Sequence, residues 1–407
     1  MSVSKQMDKM RSESNNITHN QDSIFDIIIA GAGCAGLSLL YGILKATELS
    51  HLRILVIDKS LQKSNDRTWC FWETEKGPYE SIVCKQWNTI SIHKNSFSKQ
   101  LDTAPFVYKM IHGLDFYDFV MDFAKKSPNV FWQNAVISSI ETENDKAVVY
   151  WEGGSAKASK VFSSILPIDA LYTISQSATT KPFLWQHFKG VLVQFNVPVF
   201  NANVATLMDF NVNQNGATAF MYVLPLNENK ALVEYTLFSN SLLKPKEYDV
   251  EIATYLAKNF ANDPYQILHD EIGAIPMTMQ SFAKSSNPIY VIGTLGNAVK
   301  SSTGYAFHFI QEQVKQIVAD LINRSPIQTE IHKTRHQFYD AVLLYILHNN
   351  LMEGSEIFKR IFEKNKAATI FKFLSNTSNL WEDISIMRSL PTKIFLPAAI
   401  KVLFRRD

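Results

Sequence analysis

Four groups of residues in this chain have types and spacings that could do chemistry. Gly31-Ala32-Gly33-Cys34-Ala35-Gly36 reads GxGxxG. The first glycine of such a run permits a tight turn, the second lets backbone amides approach a pyrophosphate, and the third lets helix and strand pack closely. Asp58 ends the next apolar run, where an acid can hydrogen-bond a ribose hydroxyl. Glu234 interrupts the apolar run Ala231 to Phe238. Such an acid either faces solvent or points into a cavity, where desolvation lets it hold a proton near neutral pH. Asp66 to Glu73 places three aromatic residues in four positions (Trp69, Phe71, Trp72) between charges, as a core corner or as the wall of a site. Finally, Ile289 to Asn297 carries Gly293 and Gly296, and Ser301-Ser302-Thr303-Gly304-Tyr305 precedes a helical pattern. A late strand–glycine–helix segment can return to a nucleotide domain and aim a helix dipole at a flavin ring or pyrophosphate. An ordinary nicotinamide dehydrogenase has no need of it, so the pair of glycine segments points to FAD. Many flavin hydroxylases have Gly-Asp in the late segment, where this chain has Gly293-Thr294.

These residues need elements to position them. Phe25 to Ala30 is a short, branched, buried-strand pattern, and Arg53 to Asp58 is a second. Between them, Cys34 to Ala46 has helical spacing with Leu37, Leu40, Tyr41 and Leu44 on one side. Together they form a β-α-β unit with a right-handed crossover. The uncharged run Ile27 to Leu44 reaches the lower limit for a membrane span. Its glycines at 31, 33, 36 and 42 fit a strand, turn and helix instead. Further on, Asp115 to Lys126 reads as a helix, and Asn134 to Trp151 as two strands broken at Glu143-Asn144-Asp145. Lys160 to Pro167 reads as a strand.

From 188 to 238 four strand patterns follow one another without helices, which predicts an antiparallel sheet. A helix is expected near 246–260, a strand at Ile289 to Gly293, a helix from about Gly304, and helices thereafter. The expected fold is a mixed α/β (α+β) architecture. A discontinuous Rossmann-like FAD domain covers 24–185 and 270–325, an antiparallel-sheet substrate domain 186–269, and a helical region 326–407. The polar stretch 1–23 reads as a disordered arm.

Composition narrows the classes. With 40 Lys plus Arg against 38 Asp plus Glu, the net charge is +2, so no broad basic face for nucleic acid is expected. Cys34, Cys70 and Cys84 form no CxxC pair or disulfide framework and suit a reducing compartment. The histidines, among them His93, His112, His187 and His308, lack metal spacing, so no metal is expected.

The segment Asp66 to Glu73, the stretch Leu232-Val233-Glu234-Tyr235-Thr236 and the late Ser301 to Tyr305 together resemble the signature set of the lycopene cyclases, which close rings on carotenoids. Lys109 to Phe116 and Phe220 to Pro225 also match family segments. The likeness runs from about Phe25 to the C-terminus. Two departures stand out: Tyr235 follows Glu234 where many relatives carry a second acid, and Ser301-Ser302 replaces Pro-Ser or Pro-Thr.

The resemblance implies a non-redox flavoenzyme that cyclises the linear ψ-ends of lycopene to β-ionone rings, giving γ- or β-carotene, by proton-initiated carbocation chemistry. FAD would act reduced, with NAD(P)H as electron donor. It implies Glu234 as the catalytic acid. The cofactor residues would be Gly31, Ala32, Gly33, Cys34, Ala35, Gly36, Asp58, Arg67, Thr68, Gly293, Gly296, Thr303, Gly304 and Tyr305. Substrate contacts would come from Trp69, Phe71, Trp72, Glu73, Phe220 and Tyr222. Because a forty-carbon polyene dissolves in bilayers, peripheral contact with the cytoplasmic membrane face is expected, with other carotenoid enzymes as neighbours. Ile394 to Arg406, apolar and ending basic, is either the docking segment or a packed terminal helix. The alternatives are a flavin monooxygenase or polyprenyl reductase on the same scaffold, and a carotenoid-binding or membrane scaffold protein without catalysis.

Overall fold

The run Ile27-Ile28-Ile29-Ala30 is buried on both faces, as a central parallel strand requires. Around it a computed structural model describes residues 24–165, 181–260, 263–282, 284–331 and 334–404. The arm expected over 1–23, the end of the strand expected at Pro167 and the basic pair Arg405-Arg406 lie outside them.

In chain order the first half runs β1 (Ile24–Ala30), α1 (Cys34–Lys45), β2 (Ile54–Asp58), β3 (Thr68–Glu73), β4 (Lys85–Trp87), β5 (Thr89–Lys94), β6 (Phe97–Asp102), β7 (Val107–His112), α2 (Gly113–Ala124), β8 (Val130–Asn134), β9 (Ile137–Glu143), β10 (Lys146–Trp151) and β11 (Gly154–Ser163). The second half runs β12 (Phe183–Phe195), β13 (Val204–Asp209), β14 (Thr218–Pro225), β15 (Lys230–Ser239), α3 (Pro245–Asn259), β16 (Tyr265–Thr278), β17 (Ile289–Val291), α4 (Phe307–Asn323), α5 (Thr334–His348), α6 (Gly354–Lys364), α7 (Ala367–Leu374), α8 (Leu380–Arg388) and α9 (Thr392–Phe404).

The nucleotide-type sheet has the order β8-β2-β1-β11-β10-β9, with β17 pairing β11 in parallel. Its centre is parallel and its β9–β10–β11 edge antiparallel. The late strand therefore does return beside the first β-α-β unit, and the fold is the expected mixed α/β class.

The second sheet has the order β16-β12-β15-β14-β13-β5-β6. It is antiparallel except where β13 meets β5. Its two faces enter different cores. Ala219, Met221, Val233, Tyr235 and Leu237 join Tyr248, Ile252 and Tyr255 of α3. Phe220, Tyr222, Leu224, Leu232 and Phe238 join the core shared with the C-terminal helices. With period-2 alternation, Glu234 lies on this second face. A small third sheet, β3-β7-β4, sits alongside.

This second sheet is wider than the expected segment 186–269. β16 runs on to Thr278, in a stretch where the sequence shows no strand pattern. It is an edge strand with Ile267, Leu268 and Ile272 exposed, so it shows no clean alternation. Its place at the edge also tolerates Pro276. The β5–β6 hairpin joins through one parallel pairing across more than a hundred residues, which no local pattern reports. The late helix begins at Phe307 rather than Gly304, because Gly304 has φ +71°.

Candidate active site

The glycine turn assigns each glycine a separate task. Gly31 has φ +101°, and a β-carbon there would lie 2.5 Å from Ser164 Oγ. One at Gly36 would lie 1.9 Å from the carbonyl oxygen of Gly31, so helix and strand touch through that position. Gly33 meets nothing within 4 Å and faces open space. It caps α1, whose first amides take no side-chain hydrogen bond at the cap. Free amides and a helix dipole make an anion seat. Asp58 braces the turn: Oδ2 accepts from the Ala32 N–H at 2.6 Å, and Lys63 Nζ pairs with Oδ1 at 3.1 Å.

The late segment closes onto this turn. Gly293 has φ +64°, and a β-carbon there would lie 2.7 Å from that of Ala35. A β-carbon at Gly296 would collide with the Val291 carbonyl. A β-carbon at Gly304 would collide with the Gln186 side chain. Lys300, fully buried, ties the following loop to the C-terminal helices through Asp340 at 2.7 Å and Asn376 at 2.8 Å.

Both glycine segments open into one cavity of about 450 Å³, whose far wall is the second sheet. Glu234 and Glu271 stand on that wall. Glu234 accepts a hydrogen bond from Thr236 at 2.8 Å. Burial, and then the negative charge of Glu271, push its carboxyl from 4.5 up to about 8, against the opposing pull of Thr236 and Arg67. It therefore holds a proton at neutral pH. Glu271, 5% exposed, accepts from the Thr68 hydroxyl at 2.7 Å. Burial raises its pKa too, while Thr68, Arg67 and His269 oppose the rise. Arg67 reaches over β16 to donate to the Ile272 carbonyl at 2.8 Å. Gly273 leaves it that room, since a β-carbon there would lie 2.8 Å from Arg67 Nη1. Tyr222 and Tyr305 face each other with hydroxyls 3.4 Å apart.

Of the residues expected from sequence, Gly33, Cys34, Ala35, Arg67, Thr68, Trp69, Tyr222, Glu234, Gly293, Gly304 and Tyr305 line this cavity. Gly31, Ala32, Gly296 and Thr303 belong to the loops that shape it, Gly36 to the first turn of α1 and Asp58 to the end of β2. Thr68 and Arg67, expected to hold cofactor, have their contacts at Glu271 and the Ile272 carbonyl.

Four expected substrate contacts do not line the cavity. Phe71, Trp72 and Glu73 border a second space of about 550 Å³ beside α1 and α4. Phe71 stacks on Phe307 with centroids 4.6 Å apart, and Trp72 on Phe371 at 4.5 Å while donating to Ser375 at 2.7 Å. Glu73 pairs with the buried Lys109 at 3.0 Å. Phe220 is wholly buried behind Tyr222. A dense aromatic motif thus serves mostly as core, because successive residues of one strand cannot all face one site. His308 also borders the second space, with its pKa lowered by burial.

The sequence reading missed Glu271 and Gln186. Glu271 ends the polar run His269-Asp270-Glu271 and stood where no strand was expected. Gln186 carried no signal at all. Its Oε1 and the hydroxyl of Thr303 are buried without a hydrogen-bond partner in the protein. Gln186 lines the cavity and Thr303 adjoins Gly304. Two orphaned polar atoms beside an open amide cradle fit a dinucleotide with a polar ring edge.

Comparison with known proteins gives a consistent picture. The family model described as lycopene cyclase protein matches residues 26–399. A lycopene beta-cyclase from Pantoea ananas is 23% identical over 291 residues, covering 69% of this chain and 71% of that protein. Among solved structures, a flavoprotein/dehydrogenase from Cytophaga hutchinsonii aligns with TM-score 0.57 at 10% identity, over 95% of this chain and 100% of that one. A geranylgeranyl bacteriochlorophyll reductase-like protein from Thermoplasma acidophilum aligns with TM-score 0.55 at 12% identity, over 94% and 96%. Klebsiella pneumoniae HpxO, solved with FAD and uric acid, aligns with TM-score 0.60 at 13% identity, over 87% and 96%. The shared feature is the flavoprotein fold.

Proposed function

Because the chain belongs to the lycopene cyclase family, we propose that it converts the linear ends of lycopene to β-ionone rings, with Glu234 as the proton donor. The observation that carries this reading is that Glu234, its carboxyl held above the usual carboxylate range by burial and by Glu271, lines the same cavity as the glycine turn.

Ring closure is an isomerisation. The Glu234 proton goes to the terminal alkene and leaves a tertiary carbocation. The π pair of the next alkene along the chain forms the new carbon–carbon bond, and a proton leaves the newly bonded carbon. The aromatic residues Trp69, Tyr222 and Tyr305 border the space where the cation would form. FAD would be held by Gly33 and the first amides of α1, by Asp58 at a ribose, and by Gln186 and Thr303 at polar ring atoms. Reduced through NAD(P)H, it would supply negative charge that favours a cation nearby.

The test is pigment analysis in a lycopene-accumulating host, then the purified enzyme in deuterated water. Solvent deuterium, at most one atom per ring, is expected in the product. Glu234→Gln should keep its flavin and lose ring formation by about 10²–10⁴-fold. Full activity in that variant rejects Glu234 as donor. Oxygen uptake with lycopene and NADPH would mean a monooxygenase, hydride label in the product a reductase, and bound pigment without rings a scaffold protein.

The same reading places the enzyme against a bilayer from the cytoplasmic side, near other carotenoid enzymes. No helix among the described residues is long and apolar enough to cross a membrane. α9 buries Ala398 and packs Ile394, Phe395 and Val402 on the core, yet exposes Leu396, Ile400, Leu403 and Phe404. Neighbouring α8 adds Leu380 and Trp381, the latter 80% exposed. An exposed Trp and a row of apolar side chains support interfacial docking. Vesicle flotation with and without residues 393–407 tests it, and unchanged flotation rejects that segment as the anchor.

A further inference from the structure

Gly190 of β12 is paired on one side with Glu234 of β15 and on the other with Glu271 of β16. Directly opposed residues in a sheet present their side chains to the same face. The two carboxyls therefore flank a position that has no side chain. A β-carbon at 190 would stand 3.4 Å from Glu234 Oε2 and 3.3 Å from Glu271 Cγ. The gap between the acids is the space that glycine leaves. Tyr235, next in sequence to Glu234, turns to the opposite face and donates to the Asn213 carbonyl at 2.9 Å. The partner of Glu234 thus comes from across the sheet.

We propose that Glu271 is the second catalytic carboxylate, the base that takes the ring proton and returns it to Glu234 across the gap at Gly190. This inference rests on the ring-closing reading. Protonation and proton loss occur at different carbons of the substrate end, so one fixed carboxyl is poorly placed for both. Two acids on one wall need no movement.

The cycle balances. Glu234 gives its proton to the terminal alkene and becomes a carboxylate. The new carbon–carbon bond forms, and Glu271 takes the hydrogen of the newly bonded carbon as a proton, leaving the ring double bond. Proton transfer from Glu271 to Glu234 restores the starting state with no oxidant or reductant consumed.

The surroundings assign the roles. Thr68 donates to Glu271, and Arg67 and His269 favour its ionised form. Glu234 has Thr236 and the more remote influence of Arg67, set against the charge of Glu271. Cys70 from β3, Tyr108 from β7, Tyr222 from β14 and Tyr305 from the late loop complete the titratable groups around the pair. Burial raises the pKa of all four, which keeps them neutral. Environments that push two carboxyls apart define an acid and a base.

Glu271→Gln separates this role from a structural one. Wild-type enzyme is first shown to make rings from lycopene. The variant should keep its flavin and its KM and lose kcat by about 10²-fold. Its pH profile should lose the acidic limb, and the alkaline limit should move to lower pH as a neighbouring negative charge is removed from Glu234. The rings that still form should carry displaced double bonds, because the cation then loses a proton from the methylene or methyl beside it. Glu271→Asp keeps the charge but draws it back by one methylene, and should give a mixture of ring types. Should the Gln variant lose its flavin, the Asp variant decides by the same readout. β-Rings alone, at the wild-type rate and with the wild-type pH profile, overturn the role of Glu271 and leave Glu234 standing. A wild-type enzyme that forms no ring overturns the reading beneath both.

Discussion

The two ends of the cavity are built from different materials. The end formed by the glycine turn and the late loop is made mostly of backbone: left-handed glycines at 31, 293 and 304, free amides at the start of α1, and close approaches that leave no room for a β-carbon. The sheet end is made of side chains: two glutamates, an arginine, a threonine and tyrosine hydroxyls on the faces of long strands. Backbone is suited to holding a ligand whatever side chains surround it. Side chains on rigid strands can be exchanged to change the chemistry without disturbing that hold. The difference predicts that damage to one end removes binding and damage to the other removes turnover.

The largest expected effect comes from Gly36→Val. Its first carbon would lie 1.9 Å from the Gly31 carbonyl oxygen, against backbone that cannot move without opening the turn. Loss of bound flavin and destabilisation by more than about 4 kcal/mol are expected, in line with severe overpacking at a special position. Flavin absorbance and thermal unfolding measure both. A variant with full flavin content would show that the turn does not seat the nucleotide, and the division between the ends would fail there.

A smaller effect should follow Gly190→Ala. The new methyl group would sit 3.1 Å from Leu232 Cδ1 and within 3.4 Å of both glutamates, so neighbours must shift by a few tenths of an ångström. Flavin content should stay at the wild-type level while ring formation falls about tenfold, since small misplacements of reacting groups are costly. Equal losses of flavin and activity would mean that the two ends are one mechanical unit.

The same contrast explains what could be read in advance. The backbone end was legible because its demands are local: a glycine pattern, two branched strands and an acid within one β-α-β unit fix one another's meaning. Glu234 was legible through the family resemblance, since the strand pattern alone left it facing either solvent or a cavity. Glu271 was hidden by its edge strand, where Pro276, Gly273 and exposed Ile267 and Leu268 erase the alternation that marks a strand. The aromatic motif misled in the opposite direction. Trp69 reaches the cavity, but Phe71 and Trp72 stack on Phe307 and Phe371, residues more than two hundred positions away. Whether an aromatic side chain is wall or core is decided by such partners, and no window of sequence contains them.

The most direct probe of the sheet end is the pH dependence of stability. In the folded protein Glu234 has its pKa raised from 4.5 to about 8, first by burial and then by Glu271. Below pH 4.5 both folded and unfolded chains carry the proton, and the group adds no difference. As pH rises from there, the unfolded chain releases a proton that the folded chain keeps, so the folded state loses stability until about pH 8. Above that the two forms are ionised alike and the difference stays constant. Glu234→Gln removes the titrating group. Its unfolding temperature relative to wild type should be level below pH 4.5, climb between 4.5 and 8, and level off again above. A difference that does not change from pH 4 to 9 would mean that Glu234 titrates as it would in water. The sheet wall would then hold no proton at neutral pH, and the carboxyl there would have nothing to give to an alkene.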